Sequence, residues 1–250
     1  MSTDLQKSTR RQRAMFSTIA EHYDLVNDLA SLGQDRLWRR AAVRALGDAC
    51  GGFLAGRRIL DVACGTGSSS RALADRGADV TGCDIADGML AVARRREFGR
   101  RRRRDHQRGP VCCDGTVRYV VADAMALPFA DGEFDAVTVS YGLRNMPRPD
   151  VALAQMRRVC RPGGPIVVLD FDMPGDPLWR MLYTHYATVA LPALGGLLGG
   201  NADAYRYLNA SIARWQGRRG VTAMLRETGW HGVAAKPLTG GIASLCRAVA

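Results

Sequence analysis

Arg57-Arg-Ile-Leu-Asp-Val-Ala-Cys-Gly-Thr-Gly67 is the stretch that decides the fold. A short apolar run, Ile59-Leu-Asp-Val-Ala63, empties into Gly-x-Gly, and Ser68 to Ala74 opens a helix. Glycine is required where the backbone turns sharply and a ligand approaches a place that a Cβ would fill. A second apolar run, Val80-Thr-Gly-Cys-Asp84, ends in a carboxylate 17 residues after Gly67. From there an acid can grip the two hydroxyls of a ribose. The dinucleotide fingerprint calls for one more glycine at position 70, where this chain has Ser70. The pattern points to a nucleoside without a pyrophosphate, and S-adenosyl-L-methionine fits it better than NAD.

Outward from this loop, strand and helix patterns alternate. Strands are expected at 58–64, 79–85, 117–123, 134–141 and 165–171, each rich in Val, Ile or Leu. Helices are expected at 68–76, 87–96 and 150–161, the last stopped by Arg161-Pro-Gly-Gly164. This βαβ rhythm predicts an α/β, Rossmann-like, mostly parallel sheet with helices on both faces. His231–Leu238 and Ile242–Val249, around Thr239-Gly240-Gly241, read as an antiparallel terminal hairpin that brings the sheet to seven strands. One domain is expected over 1–250. Residues 1–56 form a helical N-terminal cap, 57–172 a cofactor-binding core with a basic insertion at 95–116, and 173–250 the substrate-side helices and the hairpin.

At 47% apolar residues the chain can build a sizeable core, and seven scattered cysteines without a Cys-x-x-Cys argue against a disulfide framework or a zinc site. A reducing cytoplasm follows. The four histidines show no metal-ligand spacing, and no apolar stretch is long enough to span a membrane. The net charge of +11 raises the question of nucleic acid. Much of that charge is local, however: nine of the fifteen residues from Arg94 to Arg108 are arginine. Such a run reads as a solvated, poorly ordered loop, with anionic lipid or nucleic acid as the alternative contact. Only Phe98 interleaves it with an aromatic ring, which disfavours single-strand binding.

Several residues could carry chemistry. Asp61, inside the first strand, needs donors when buried, and the loop amides are the expected source, with the cofactor's amino group as an alternative. Asp123-Ala124 ends the third strand, where a carboxylate either accepts from an adenine amino group or caps the following turn. Val139-Ser-Tyr-Gly-Leu-Arg-Asn145 follows the fourth strand, where an open α/β sheet presents its active site. Arg144 there is either an anion-stabilising guanidinium or part of a surface ion pair. Near the N-terminus Tyr23 and Asn27 lie one helical turn apart, as do Asp24 and Asp28, and Tyr207 stands in the same relation to Ser211.

Taken with Tyr23-Asp-Leu-Val-Asn-Asp28, Ser31-Leu-Gly-Gln-Asp-Arg-Leu-Trp-Arg-Arg40, Ala204-Tyr-Arg-Tyr-Leu208 and Leu238-Thr-Gly-Gly-Ile242, these blocks resemble the demethylmenaquinone and ubiquinone C-methyltransferases. The resemblance covers nearly all of the chain outside 95–116. It implies a class I S-adenosyl-L-methionine-dependent methyltransferase acting on a prenylated quinol. Cofactor contacts carry over onto Gly65, Thr66, Gly67, Asp84, Asp123, Ala124 and Ser140, joined by Asp61. Arg144 and Asn145 would hold the ring oxygen, Asp24 would accept a proton, and Tyr23, Asn27, Tyr141 and Tyr207 would line the acceptor pocket. Ser68, where relatives carry Asp, and Cys246, where they carry His, depart from the pattern. A prenyl tail further implies peripheral contact with an anionic membrane, through Val189–Leu198 and the arginine segment. A homodimer is among the assemblies left open. Two alternatives stand beside this reading: another small aromatic or polyketide acceptor, and a non-catalytic cofactor-binding subunit of a biosynthetic complex.

Overall fold

The computed structural model describes residues 28, 31, 33–108, 115–190 and 210–250, with backbone alone for 103–108 and 190. Helix α1 (Asp35–Ala49) precedes β1 (Arg58–Val62), α2 (Ser68–Ala74), β2 (Asp79–Asp84), α3 (Asp87–Arg108) and β3 (Val117–Val121). Then come β4 (Ala136–Ser140), α4 (Pro149–Val159), β5 (Pro165–Phe171), α5 (Pro177–His185), α6 (Gly217–Glu227), β6 (His231–Leu238) and β7 (Ala243–Val249). The strands form one seven-stranded sheet in the order β3-β2-β1-β4-β5-β7-β6. β1 to β5 pair in parallel, while β7 runs antiparallel to both β5 and β6. The order reverses between β1 and β4, which opens a crevice at their carboxyl ends.

Side chains alternate across the pleat and feed two cores. Ile59, Val80, Val167 and Leu169 meet Trp38 and Leu46 of α1, Leu73 of α2, and Met89 and Val92 of α3. Leu60, Val62, Val139, Ile166 and Val168 meet Leu153 and Met156 of α4, Val221 and Leu225 of α6, and Trp230. The turn at Thr239–Gly241 ties the last hairpin to the first layer. Trp38 Nε1 donates to Thr239 Oγ1 at 2.9 Å, Thr239 Oγ1 donates to Gln34 Oε1 at 2.5 Å, and Trp179 Nε1 of α5 donates to the Thr239 carbonyl at 3.4 Å.

The expected loop in the arginine run is corrected. α3 continues through it to Arg108 instead of ending near Arg96. Glu97 explains the difference: it is buried, and Arg100 and Arg101, one turn on, both donate to it at 2.8–2.9 Å, while Arg100 also reaches Asp75 at 2.7 Å. Two further arginines bond the neighbouring strand, Arg94 to the Tyr119 carbonyl and Arg101 to that of Val117, each at 3.2 Å. Residues 109–114 lie outside the described ones.

Burial pushes the Glu97 carboxyl up, but the hydrogen bonds and charges of Arg100 and Arg101 outweigh it and hold the group below its usual 4.5. A depressed carboxyl contributes stability that is whole above the unfolded value and is lost as pH falls through the folded one. Glu97→Gln is therefore expected to cost about 2 kcal/mol near neutrality. That deficit should shrink as unfolding is followed from about pH 6 down to about pH 3. An unchanged deficit across that range rules out the ionic contribution.

Candidate active site

The crevice between β1 and β4 is a cleft with about 740 Å³ of empty space, counting its open mouth. Among the residues expected from sequence, Gly65, Asp84, Asp123, Ala124, Tyr141 and Asn145 line it. Ala63 and Tyr141, at the exits of β1 and β4, carry positive φ angles of 51° and 59°. Non-glycine residues are held in this region only when their surroundings over-determine it, and such strain clusters at ligand sites. Gly142 is needed between them, since a Cβ there would collide with the Ala63 side chain.

Asp84 ties the loop together. Its Oδ2 accepts from the Gly65 amide and its Oδ1 from the Ala86 amide, both at 2.9 Å. Burial pushes its carboxyl up, against those bonds. Gly67 has φ 77°, and a Cβ on it would strike the Tyr119 phenol. Arg71 braces the loop from behind, donating to the Thr66 carbonyl at 2.8 Å and to Ser68 Oγ at 3.3 Å.

Asp61 points into the layer of α1 and α2 and is fully buried. The Gly65 amide of the loop turns to Asp84 instead, and it is the Ser70 hydroxyl that donates to Asp61 Oδ2 at 2.6 Å. Its Oδ1 is buried without a hydrogen-bond partner. Burial raises the carboxyl to about 6, against the pull of Ser70 and of Arg39. Arg39 itself is held by Asp35 at 2.9 Å and donates to Ser69 Oγ at 2.8 Å.

Beyond β4, Arg144 enters a buried pair. Its Nη1 lies 2.5 Å from Asp170 Oδ1 and 2.7 Å from the Tyr141 carbonyl, its guanidinium stacks 5.0 Å from the Phe171 ring, and its side chain is 3% exposed. Asp170 neutralises the guanidinium that the sequence suggested for a ring oxyanion. Asn145, which donates to the Tyr141 carbonyl at 3.3 Å, remains on the cleft wall. The Tyr141 ring, expected against the acceptor, packs inward at 5.2 Å from Phe171 with Arg39 over its face, and the residue is 1% exposed.

Asp123 Oδ1 accepts from the Met125 amide at 2.9 Å, closing a tight turn at the end of β3. Ser140 ends β4 and is buried; with Asp61, Thr66, Gly67 and Arg144 it lies just outside the lining set. Tyr23, Asp24, Asn27 and Tyr207 lie outside the described residues. Sequence reasoning missed Met89, Met125 and Met146, which give the cleft an adaptable apolar wall. It also missed Asp170, whose signal was a lone carboxylate in the apolar run Pro165–Phe171. Of the two departures, Ser68 braces the outer side of the loop and Cys246 is buried in the core under α6. Neither lines the cleft.

The residues present suit a nucleoside bearing an amino acid. Asp61 Oδ1 lacks a donor that an ammonium group could supply, and the cleft wall is mostly apolar with carboxylates at Asp84 and Asp123.

A family model described as the ubiE/COQ5 methyltransferase family matches residues 3–250. A protein of Beutenbergia cavernae named demethylmenaquinone methyltransferase is 45% identical over 98% of this chain and 92% of its own length. One of the same name from Paenarthrobacter aurescens is 42% identical over 98% and 88%. Among solved structures, a SAM-dependent methyltransferase from Aquifex aeolicus superimposes with a TM-score of 0.58 at 14% identity, covering 90% of this chain and 97% of that one. Haemonchus contortus phosphoethanolamine N-methyltransferase 2, in complex with S-adenosyl-L-methionine, gives 0.57 at 17% identity over 82% and 51%. These two establish the fold alone.

Arg144→Ala leaves the Asp170 carboxylate buried without its counter-ion and is expected to cost about 3–5 kcal/mol of stability. Arg144→Ala with Asp170→Ala should cost clearly less than the sum of the single changes, because the two side chains act as one unit. Urea unfolding of the four proteins measures the coupling, and additive losses show the pair to be unimportant.

Proposed function

The chain belongs to the ubiE/COQ5 methyltransferase family, and from that premise we propose that it methylates a ring carbon of a prenylated quinol, demethylmenaquinol, with S-adenosyl-L-methionine as methyl donor. The observation that carries this reading is full-length similarity to proteins named demethylmenaquinone methyltransferase. The positions of Ser68 and Cys246, away from the cleft, are compatible with it.

The donor supplies an electrophilic methyl group on a positively charged sulfur. Asp84 holds the ribose hydroxyls with the lone pairs that Gly65 and Ala86 leave available. Asp123 and Ala124 take the adenine edge, and Thr66, Gly67 and Ser140 shape the floor around the remaining atoms. Asp61 receives the ammonium group on Oδ1, which has no other partner in the fold. Methyl transfer is an in-line displacement, so most of the protein's task is alignment.

A quinol carbon becomes nucleophilic as its neighbouring hydroxyl loses a proton, and donors aimed at that oxygen promote the loss. Asn145 is the group on the cleft wall suited to bond the ring oxygen. Arg144 acts through it as a positioning residue, since it fixes the Tyr141 carbonyl to which Asn145 also donates. Asp24 accepts the proton, and Tyr23, Asn27 and Tyr207 close the acceptor pocket. Tyr141 contributes through its backbone and buried ring. The tailed acceptor calls for peripheral contact with the cytoplasmic face of an anionic membrane. No helix among the described residues is long and apolar enough to cross one.

Incubation with methyl-labelled donor and demethylmenaquinol under reducing conditions is expected to put label on the ring carbon. Label on oxygen, or none with folded protein, defeats the proposal. Donor binding should also depend on pH. An ammonium group favours the ionised form of Asp61, whose carboxyl lies at about 6 in the free protein. Affinity should therefore climb between about pH 5 and about pH 7. Calorimetry should find a weaker and flatter profile for Asp61→Asn, and an identical slope in that variant removes Asp61 from the ammonium.

A further inference from the structure

Helix α5 and the π-helical turn that extends it, Tyr186–Ala190, carry two apolar stripes, and among the described residues one of them packs into the core. Trp179, Tyr183 and Tyr186, at helical spacing, turn inward: Tyr183 is 4% exposed, stacks 6.5 Å from Tyr186, and feels the charge of Arg144. The adjacent stripe consists of Leu178, Met181, Leu182 and Val189, which are 61%, 60%, 50% and 55% exposed. These are four of the nine large exposed hydrophobics among the described residues, gathered within twelve positions. Arg180, Thr184 and Thr188 occupy the opposite flank, and Pro177 to Ala190 contains no acidic residue.

A soluble helix normally hides its apolar arc, and an exposed one marks an interaction surface. Its position narrows the occupant. The inner stripe of α5 packs into the same core cluster as Phe171 and Tyr141, and Tyr141 lines the cleft, so α5 is joined to the core that backs the active site. Four partly exposed side chains are too small for a stable pair of protein copies, which needs roughly 800 Å² from each partner. A bilayer requires less: an apolar arc sunk roughly 5–10 Å below the headgroups, with a basic protein drawn to anionic lipid. The protein as a whole is basic at +11, although much of that charge sits in the arginine run of α3, and from Pro177 to Ala190 the chain carries Arg180 and no acid, Asp176 being engaged as the helix N-cap.

We propose that the outer stripe of α5 is a lipid-docking surface that seats on an anionic bilayer and sets the cleft beside it. Its purpose rests on the prenylated-quinol reading, but its existence is tested apart from that reading. The purified full-length chain is sedimented with vesicles of phosphatidylcholine alone, and of phosphatidylcholine and phosphatidylglycerol in equal parts. Wild type is expected to bind the anionic vesicles. A Met181→Asp, Leu182→Asp double variant should bind about tenfold less or weaker still, and Leu178→Gln should fall between. Phe53→Asp, 76% exposed and remote from α5 in sequence, is the control and should stay within about twofold of wild type.

Thermal unfolding checks that each variant is folded. Methylation of a tail-less demethylated naphthoquinol in solution should be the same in wild type and the double variant, whereas methylation of the prenylated quinol in vesicles should fall with binding. Equal vesicle binding by the double variant overturns the proposal, and so does failure of wild type to bind. A wild-type dimer in sedimentation velocity that the substitutions dissociate, without change in vesicle binding, assigns the stripe to a second copy instead. Lipid binding that depends on α5, in a protein that methylates no quinol, leaves the docking surface standing and removes the proposed reaction.

Discussion

A carboxylate wholly or partly buried in a strand must find donors, and the region around this cleft follows from how three of them do so. Asp61, Asp84 and Asp170 lie in or at the ends of β1, β2 and β5. Each draws in a different part of the chain: the first turn of α2 through Ser70, the glycine loop through the Gly65 amide, and the segment after β4 through Arg144. Leaving such a group unpartnered costs several kcal/mol, so these ties hold the loops in one arrangement before any ligand arrives. Of these three carboxylates, Asp61 is the one that keeps a buried oxygen, Oδ1, without a hydrogen-bond partner.

Preorganisation of this kind suits a displacement reaction, in which alignment matters more than acid–base power. The strained backbones of Ala63 and Tyr141 both line the cleft at the exits of neighbouring strands, and Gly142 lets the β1 and β4 exits approach closely. The methionine wall is the adaptable component, polarizable and tolerant of flat rings. Rigid polar anchors at one side and a compliant apolar surface at the other can accept both a nucleoside and an aromatic ring.

Much of this was legible in the sequence because it depends on local pattern. The Gly-x-Gly loop after an apolar run, Asp84 seventeen residues on, and the β-α alternation specify the sheet and the crevice with no knowledge of distant contacts. Pairings across the sheet were not legible. Arg144 read as either an anion-stabilising cation or one half of a surface ion pair, and its actual partner, Asp170, lies 26 residues away in β5 and makes the pair a buried one. Ser70 read as a missing glycine, although it supplies the hydroxyl that Asp61 needs. The arginine run read as a loop for want of apolar periodicity, but a single glutamate with arginines three and four residues on gives the helix the local pairing it needs. Tyr141 read as a site aromatic because nothing local distinguishes a ring that turns into the core.

The bonds from α3 to β3 bear on how the molecule survives at high concentration. β3 is an edge strand, and its carbonyls alternate: that of Thr116 just before it accepts from β2, whereas those of Val117 and Tyr119 face away and receive Arg101 and Arg94. An uncapped edge offers its acceptors as a template for another strand. Here they are occupied by guanidinium groups that also repel a like-charged neighbour. The opposite edge, β6, is blunted by Pro237, Lys236 and an irregularity between His231 and Ala234. Both margins of the sheet thus discourage templated aggregation, and on one of them the arginine run supplies the guard.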